Sequence, residues 1–193
     1  MARPKASFCK HLKDRRFRKN ENLILDIFIS KKGRDITSKK ISRYAKLGRS
    51  TFYFHHCAVK EIIPDYEKYI LASFSSAIKK KLLQKNTQLK TIYLDMLVFI
   101  LQNKKIFKMF LKFDDRKIIN QMVNKIGNKI RRFSRLSEKS TKIWKIYVGE
   151  ITEVIFAWGH VGFPEEKLLE VLSDIMYLTE TCADRLAPID HHD

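Results

Sequence analysis

Across residues 20–32, Leu23, Ile24, Ile27 and Phe28 recur at the spacing of one helix face, and Gly33 stands where a helix would close. Thr37 can cap a short helix, "SKKISRYA", and a tight connection around Lys46–Gly48 leads into a second short helix, "RSTFYFH". Further along, "VKEIIPDYEKYILASFSSAIKKKLL" has helical spacing, and Pro64 is tolerable only near its beginning. A break at Asn86–Gln88 separates it from helical stretches over 89–103, 105–113, 115–134 and 139–160. "GFP" ends the last of these, and a final helix begins near Pro164, whose following Glu165 and Glu166 suit a positive helix end, and runs to about Leu186. No stretch alternates with the period of two that strands require. The pattern predicts an all-α protein of about nine helices, with a three-helix N-terminal unit over 1–63 and a larger helical domain over 64–193.

Charge changes the picture. The 193 residues carry a formal net charge of +18, and the excess is uneven. Residues 1–58 hold 16 Lys and Arg against 4 Asp and Glu, while the remainder holds 23 against 17. One basic end and a more ordinary remainder point to a polyanionic partner, nucleic acid before an anionic membrane surface. Cys9, Cys57 and Cys182 are far apart and odd in number, which is no disulfide framework and fits a reducing cytoplasm. The N-terminus lacks the apolar core of a signal peptide, and the most apolar stretches, such as "YLDMLVFIL", are too short to span a bilayer. The expectation is a cytoplasmic protein with no membrane partner.

Three short helices, the third entered through a tight turn, outline a helix-turn-helix unit. Ile41 and Ala45 can pack against Leu47 and Phe52, which leaves Arg49, Ser50, Tyr53 and Phe54 facing outward. An arginine can chelate the O6/N7 edge of guanine, and small hydroxyl residues reach bases or phosphates. Lys39, Lys40 and Arg43 on the preceding helix approach phosphates. The stretch "ITSKKISRYAKLGRSTFYFHHCAVKEII", Ile36 to Ile63, resembles the DNA-binding segment of TetR-family transcriptional repressors. Ile36, Thr37, Ile41, Ala45, Leu47, Thr51, Phe52, Tyr53, His55 and Glu61 match that pattern in register, and "LILDIFISKKG" is similar to the helix before it. The resemblance covers about residues 20–63 and rests on helix order and length beyond them.

The resemblance implies that Thr37, Tyr53 and His55 hold phosphates, that Arg49 and Ser50 read base edges, and that Ser38, Lys39, Thr51 and Lys60 complete the DNA-facing set. The chain departs from the family's pattern at four places. Lys46 stands for the turn glycine and must accept that glycine's backbone angle, Gly48 for the capping serine, His56 for a packing phenylalanine, and Val59, with Lys60 beside it, for a phosphate-touching lysine.

His55, His56 and Cys57 invite a metal site. Neighbours on a helix point about 100° apart, however, and no fourth ligand stands at a matching spacing, so the expected metal and cofactor content is none. His56 is read as structural or solvated. The terminal Asp190–Asp193 run is read as a frayed tail, and residues 1–19 mostly as a flexible arm with room for a helical start near its end. Arg15, Arg16, Arg18 and Lys19 either follow the DNA backbone or are solvated. Lys104, Lys108 and Lys112 read as a wet helix face, and Arg131, Arg132 and Arg135 either as the same or as a cluster that attracts an anionic effector, the solvated reading being preferred.

In the family, the region of Met96, Phe99, Phe107, Phe110, Trp144 and Tyr147 would house a pocket for a small apolar or aromatic effector; the plain alternative is that these residues fill the core. The two last helices are apolar over more than one stripe. That predicts a homodimer through Tyr147, Ile151, Ile155, Trp158, Leu168, Leu172, Ile175 and Thr179, and hence a palindromic double-stranded operator. No phosphate loop, metalloprotease motif or nucleophile elbow occurs, and no enzyme is expected. The expected function is a sequence-specific DNA-binding repressor relieved by an effector. The alternative is an architectural or adaptor protein on the same fold without one, and a third possibility is a basic RNA- or membrane-surface binder.

Overall fold

The structure, a computed structural model, describes residues 14–30, 36–83, 88–133 and 138–186, without the side chains of residues 80, 82–83, 128–133, 138–141 and 183–186. Gly33, the arm up to residue 13, Arg135 and the Asp190–Asp193 tail lie outside the described residues, as do the side chains of Arg131 and Arg132. The described residues are all-α. The helices are α1 (Arg15–Ser30), α2 (Ser38–Tyr44), α3 (Arg49–His55), α4 (Ile62–Leu83), α5 (Leu89–Gln102), α6 (Lys104–Lys112), α7 (Lys117–Phe133), α8 (Glu138–His160) and α9 (Leu168–Leu186). Short 3-10 turns, Val59–Glu61 and Glu165–Lys167, precede α4 and α9. The chain divides into two compact units, Met1–Ile70 and Leu71–Asp193, so the division falls inside α4.

In the first unit, α1 begins earlier than the apolar pattern suggests. The Asp14 carboxylate accepts the Phe17 amide at 2.9 Å and caps the helix. Arg15, Arg16, Arg18 and Lys19 therefore lie on a helix and not on an arm. The buried stripe is Phe17, Glu21, Ile24, Leu25 and Phe28, whereas Leu23 is exposed. Thr37 caps α2 as expected, accepting the Lys40 amide at 3.3 Å. Lys46 does take the left-handed angle of a turn glycine, with φ 54. The Leu47 amide donates to the Ser42 carbonyl and the Lys46 amide to Arg43, which closes α2 with paired end bonds.

In the second unit, α8 and α9 form a hairpin whose neighbours are α7, α6 and α5. Its turn is held by a buried Phe163. The Phe163 ring meets Trp158 edge-on at 5.1 Å, and its carbonyl accepts Lys104 Nζ at 2.9 Å. Lys104 is thus tied into the fold, while Lys108 and Lys112 stay exposed.

One expectation about this unit is corrected, and it concerns the dimer. The six residues assigned to an effector pocket lie in the interior, where core residues and the lining of an enclosed pocket both stand. Met96, Phe107, Phe110, Trp144 and Tyr147 are buried and Phe99 is half-buried against Phe74. Tyr147 bonds the Tyr93 hydroxyl at 2.6 Å and the Thr179 hydroxyl at 2.8 Å. The assigned dimer residues are occupied within one chain. Tyr147, Ile151, Ile155, Trp158, Leu172, Ile175 and Thr179 are all buried, and Leu168 is half-buried. Both apolar stripes exist, but the wider one covers the chain's own core. The large apolar side chains exposed on this hairpin are instead Ile146, Val161, Leu169 and Tyr177.

Candidate nucleic-acid interface

Helix α3 has seven residues and only two of them, Phe52 and His55, are buried. An isolated helix this short does not hold itself, so packing must define its pose. Phe52 is fully buried, and Ile41 and Ala45 of α2 are buried as the pattern predicted. The opposite face is open. Arg49 and Ser50 are exposed, Tyr53 and Phe54 are each about half exposed, and Thr51 is partly covered. The Tyr53 hydroxyl lies 3.0 Å from Ser38 Oγ, which ties the outer face of α3 to the first residue of α2. Thr37, the N-cap of α2, is exposed, as are Lys39, Lys40 and Arg43 on the helix. The unit therefore presents Thr37, Ser38, Lys39, Arg49, Ser50 and Tyr53 on α2 and α3. Lys60 is exposed on the 3-10 turn, where it borders a groove of about 250 Å³ with Phe28, Val59 and Ile63.

His55 is corrected. Its residue surface is 6 % exposed, and its ring stacks on Phe17 at 3.8 Å. His55 Nδ1 lies 2.6 Å from Glu21 Oε2, so the Nδ1 edge of the ring is turned into the unit and is not the edge that could meet a phosphate. His56, in the place of the pattern's phenylalanine, is buried too. Its Nε2 lies 2.8 Å from Glu21 Oε1 and its Nδ1 3.0 Å from Asp65 Oδ2. The Tyr66 hydroxyl donates to Glu21 Oε1 at 2.8 Å. Cys57 is exposed and takes no part.

The protonation follows from these contacts. Burial alone would raise the Glu21 carboxyl, but hydrogen bonds from His55 and His56, the charge on His56 and the Tyr66 hydroxyl outweigh it and hold the group at about 2. Burial alone would lower His56; the bonds and charges of Asp65 and Glu21 outweigh it and hold the ring at about 9. Both ring nitrogens of His56 face carboxylates, and only the imidazolium donates on both sides. Burial, with the Glu21 charge and hydrogen bond, pushes Tyr66 well above its ordinary value.

Sequence reasoning missed Glu21, Asp65 and Tyr66. Glu21 left a signal: positions 17, 21, 24, 25 and 28 form one stripe, so the glutamate stands on the buried face. A buried carboxylate demands partners, and the two adjacent histidines are the obvious supply. A second feature was also missed. Arg16 and Asn20, one turn apart on α1, line an open cleft of about 440 Å³ together with Ser50, Thr51, Phe54 and His55 of α3. Comparison with protein-family models, with curated proteins and with solved structures finds no match.

Proposed function

We propose that the chain is a sequence-specific DNA-binding transcriptional regulator of the TetR kind, acting as a homodimer and repressing by occluding a promoter until an effector is bound. The observation that carries this reading is the open face of α3. Arg49, Ser50, Tyr53 and Phe54 stand outward on a helix anchored from behind, beside the exposed cations of α2, in the more basic part of a +18 chain. A short recognition helix needs that arrangement: a rigid back, an arginine for base edges, and cations and hydroxyls for phosphates. Among the described residues no helix is long and apolar enough to cross a membrane.

The second reading, an architectural or adaptor protein with no small-molecule effector, is favoured by one observation. Of the side chains assigned to the effector pocket, Tyr147 already has its hydroxyl bonded to Tyr93 and Thr179 inside the second unit. Selecting duplexes from a randomised pool with the purified protein tests both. Recovery of a single palindromic motif, bound with a steep loss of affinity as salt rises, supports the regulator. Recovery of unrelated sequences at equal affinity supports the architectural protein and removes the regulator.

A further inference from the structure

We propose that Glu21 is the positioning residue of the recognition helix: by holding His55 and His56 together from behind, it fixes the rotation of α3 and therefore the register in which Arg49 and Ser50 meet base edges. This rests on the DNA-reading function proposed above.

On its outer face α3 is tied to α2 by the Tyr53–Ser38 contact, and from behind it is held by few side chains. Its buried residues are Phe52 and His55. Phe52 contributes apolar contact, which is strong but non-directional, and a ring that fills a pocket does not by itself fix the roll of the helix about it. Hydrogen bonds to a carboxylate are short and directional. Glu21 supplies three acceptor contacts at once. His55 Nδ1 bonds to Oε2, and His56 Nε2 and the Tyr66 hydroxyl bond to Oε1. His55 is the last residue of α3 and His56 is its C-cap, so the clamp grips the end of the helix at two points. Asp65 of α4 closes the far side of His56 at 3.0 Å.

A cluster serving stability alone would be replaceable by apolar side chains of similar volume, since buried ion pairs seldom outperform a good apolar core. What the ionic cluster adds is angular definition, and small rolls of α3 would swing the outward side chains off their base edges. Because His56 must donate on both sides, the clamp is complete only while the ring is protonated. The groups around it are Glu21 of α1, Asp65 and Tyr66 of α4, and His55 of α3, with Asp26 and Tyr69 acting on Tyr66.

The test uses the full chain and two probes, a duplex selected by the wild-type protein and a scrambled duplex of the same length. Glu21→Gln keeps the shape but removes the charge. The expected result is that preference for the selected duplex over the scrambled one falls about tenfold, the loss of one well-made base contact, while affinity for the scrambled duplex is unchanged. Wild-type preference should also decline as pH rises through about 9, and Glu21→Gln should lack that decline. If Glu21→Gln does not fold, the wild-type pH series decides alone. Preference that stays flat through pH 9 in the wild type, or survives in a folded Glu21→Gln variant, overturns the positioning role while leaving DNA reading intact. A wild-type protein with no preferred duplex overturns both.

Discussion

The indole of Trp144 on α8 lies against the backbone of Gly127 on α7, so closely that a β-carbon at Gly127 would overlap the ring. One turn earlier on α7, Asn124 Oδ1 accepts the Trp144 Nε1 proton at 2.8 Å, which fixes the ring over the glycine. Glycine inside a helix costs about 1 kcal/mol relative to alanine. Here that cost is offset by the close approach of two helices.

Gly127→Ala should therefore destabilise the second unit despite the better helix former. Overpacking costs about 1–3 kcal/mol, which exceeds the propensity gain. Both tryptophans, Trp144 and Trp158, lie in this unit, so intrinsic fluorescence in urea reports it directly. A midpoint higher than wild type would mean that Trp144 can step aside.

The first unit should have its own pH profile. The His56 ring titrates at about 9 when folded, above its ordinary 6.5. Its contribution is complete below 6.5 and is lost as pH rises through about 9. Glu21 titrates at about 2 against an ordinary 4.5, so its contribution is complete above 4.5 and is lost as pH falls toward 2. The cluster is fully formed between these limits. Proton NMR of the histidine rings checks it, and a His56 ring titrating near its ordinary value would contradict the doubly bonded geometry.

On the outer face, Arg49→Ala should weaken binding to a selected duplex by about 1–3 kcal/mol and relax its sequence preference. Tyr53→Phe should act differently. It removes the hydroxyl that meets Ser38 Oγ and should lower affinity for all duplexes alike, without changing preference. Competition binding separates the two. Unchanged preference in Arg49→Ala would mean that α3 does not enter the groove by this face.

The helix pattern was legible in the sequence because apolar spacing decided it. The stretches 89–103, 105–113 and 139–160 fall within a residue or so of α5, α6 and α8. The start of α1 was not legible, because it depends on one capping bond from Asp14 and not on any apolar residue. Of the outer face, Arg49, Ser50 and Tyr53 could be placed by helical phase alone. His55 could not, because its direction is set by a partner 34 positions earlier. Stripe width likewise shows that a helix buries much surface, but not whether its own chain or a second copy covers it, which is why Ile151 and Ile175 were assigned to the wrong side of the hairpin.

That last distinction yields a contrast between two kinds of substitution on the hairpin. Ile146 of α8 and Tyr177 of α9 are 57 % and 69 % exposed and flank one shallow groove of about 170 Å³. On α8 the stripe through Ile146 continues at helical spacing with Glu150, Val154 and Ala157 toward Val161 in the turn, and on α9 the stripe through Tyr177 runs back through Ser173 to Leu169. Apart from Glu150, the small and apolar residues of these stripes suit a two-fold four-helix bundle, where closed symmetry would cover both stripes with one self-complementary contact. Ile146→Glu or Tyr177→Glu should then leave the melting of the chain nearly unchanged, give a monomer in sedimentation, and weaken binding to a palindromic duplex whose half-sites lie ~34–36 Å apart. Ile151→Glu should do something else. It buries a charge with no partner at a fully buried position, and the second unit should unfold. If Ile151→Glu instead gave a folded monomer, the dimer contact would run through the Ile151 stripe and not through Ile146 and Tyr177; if wild type sedimented as a monomer at micromolar concentration while still binding a palindrome tightly, the hairpin would not be the dimer contact.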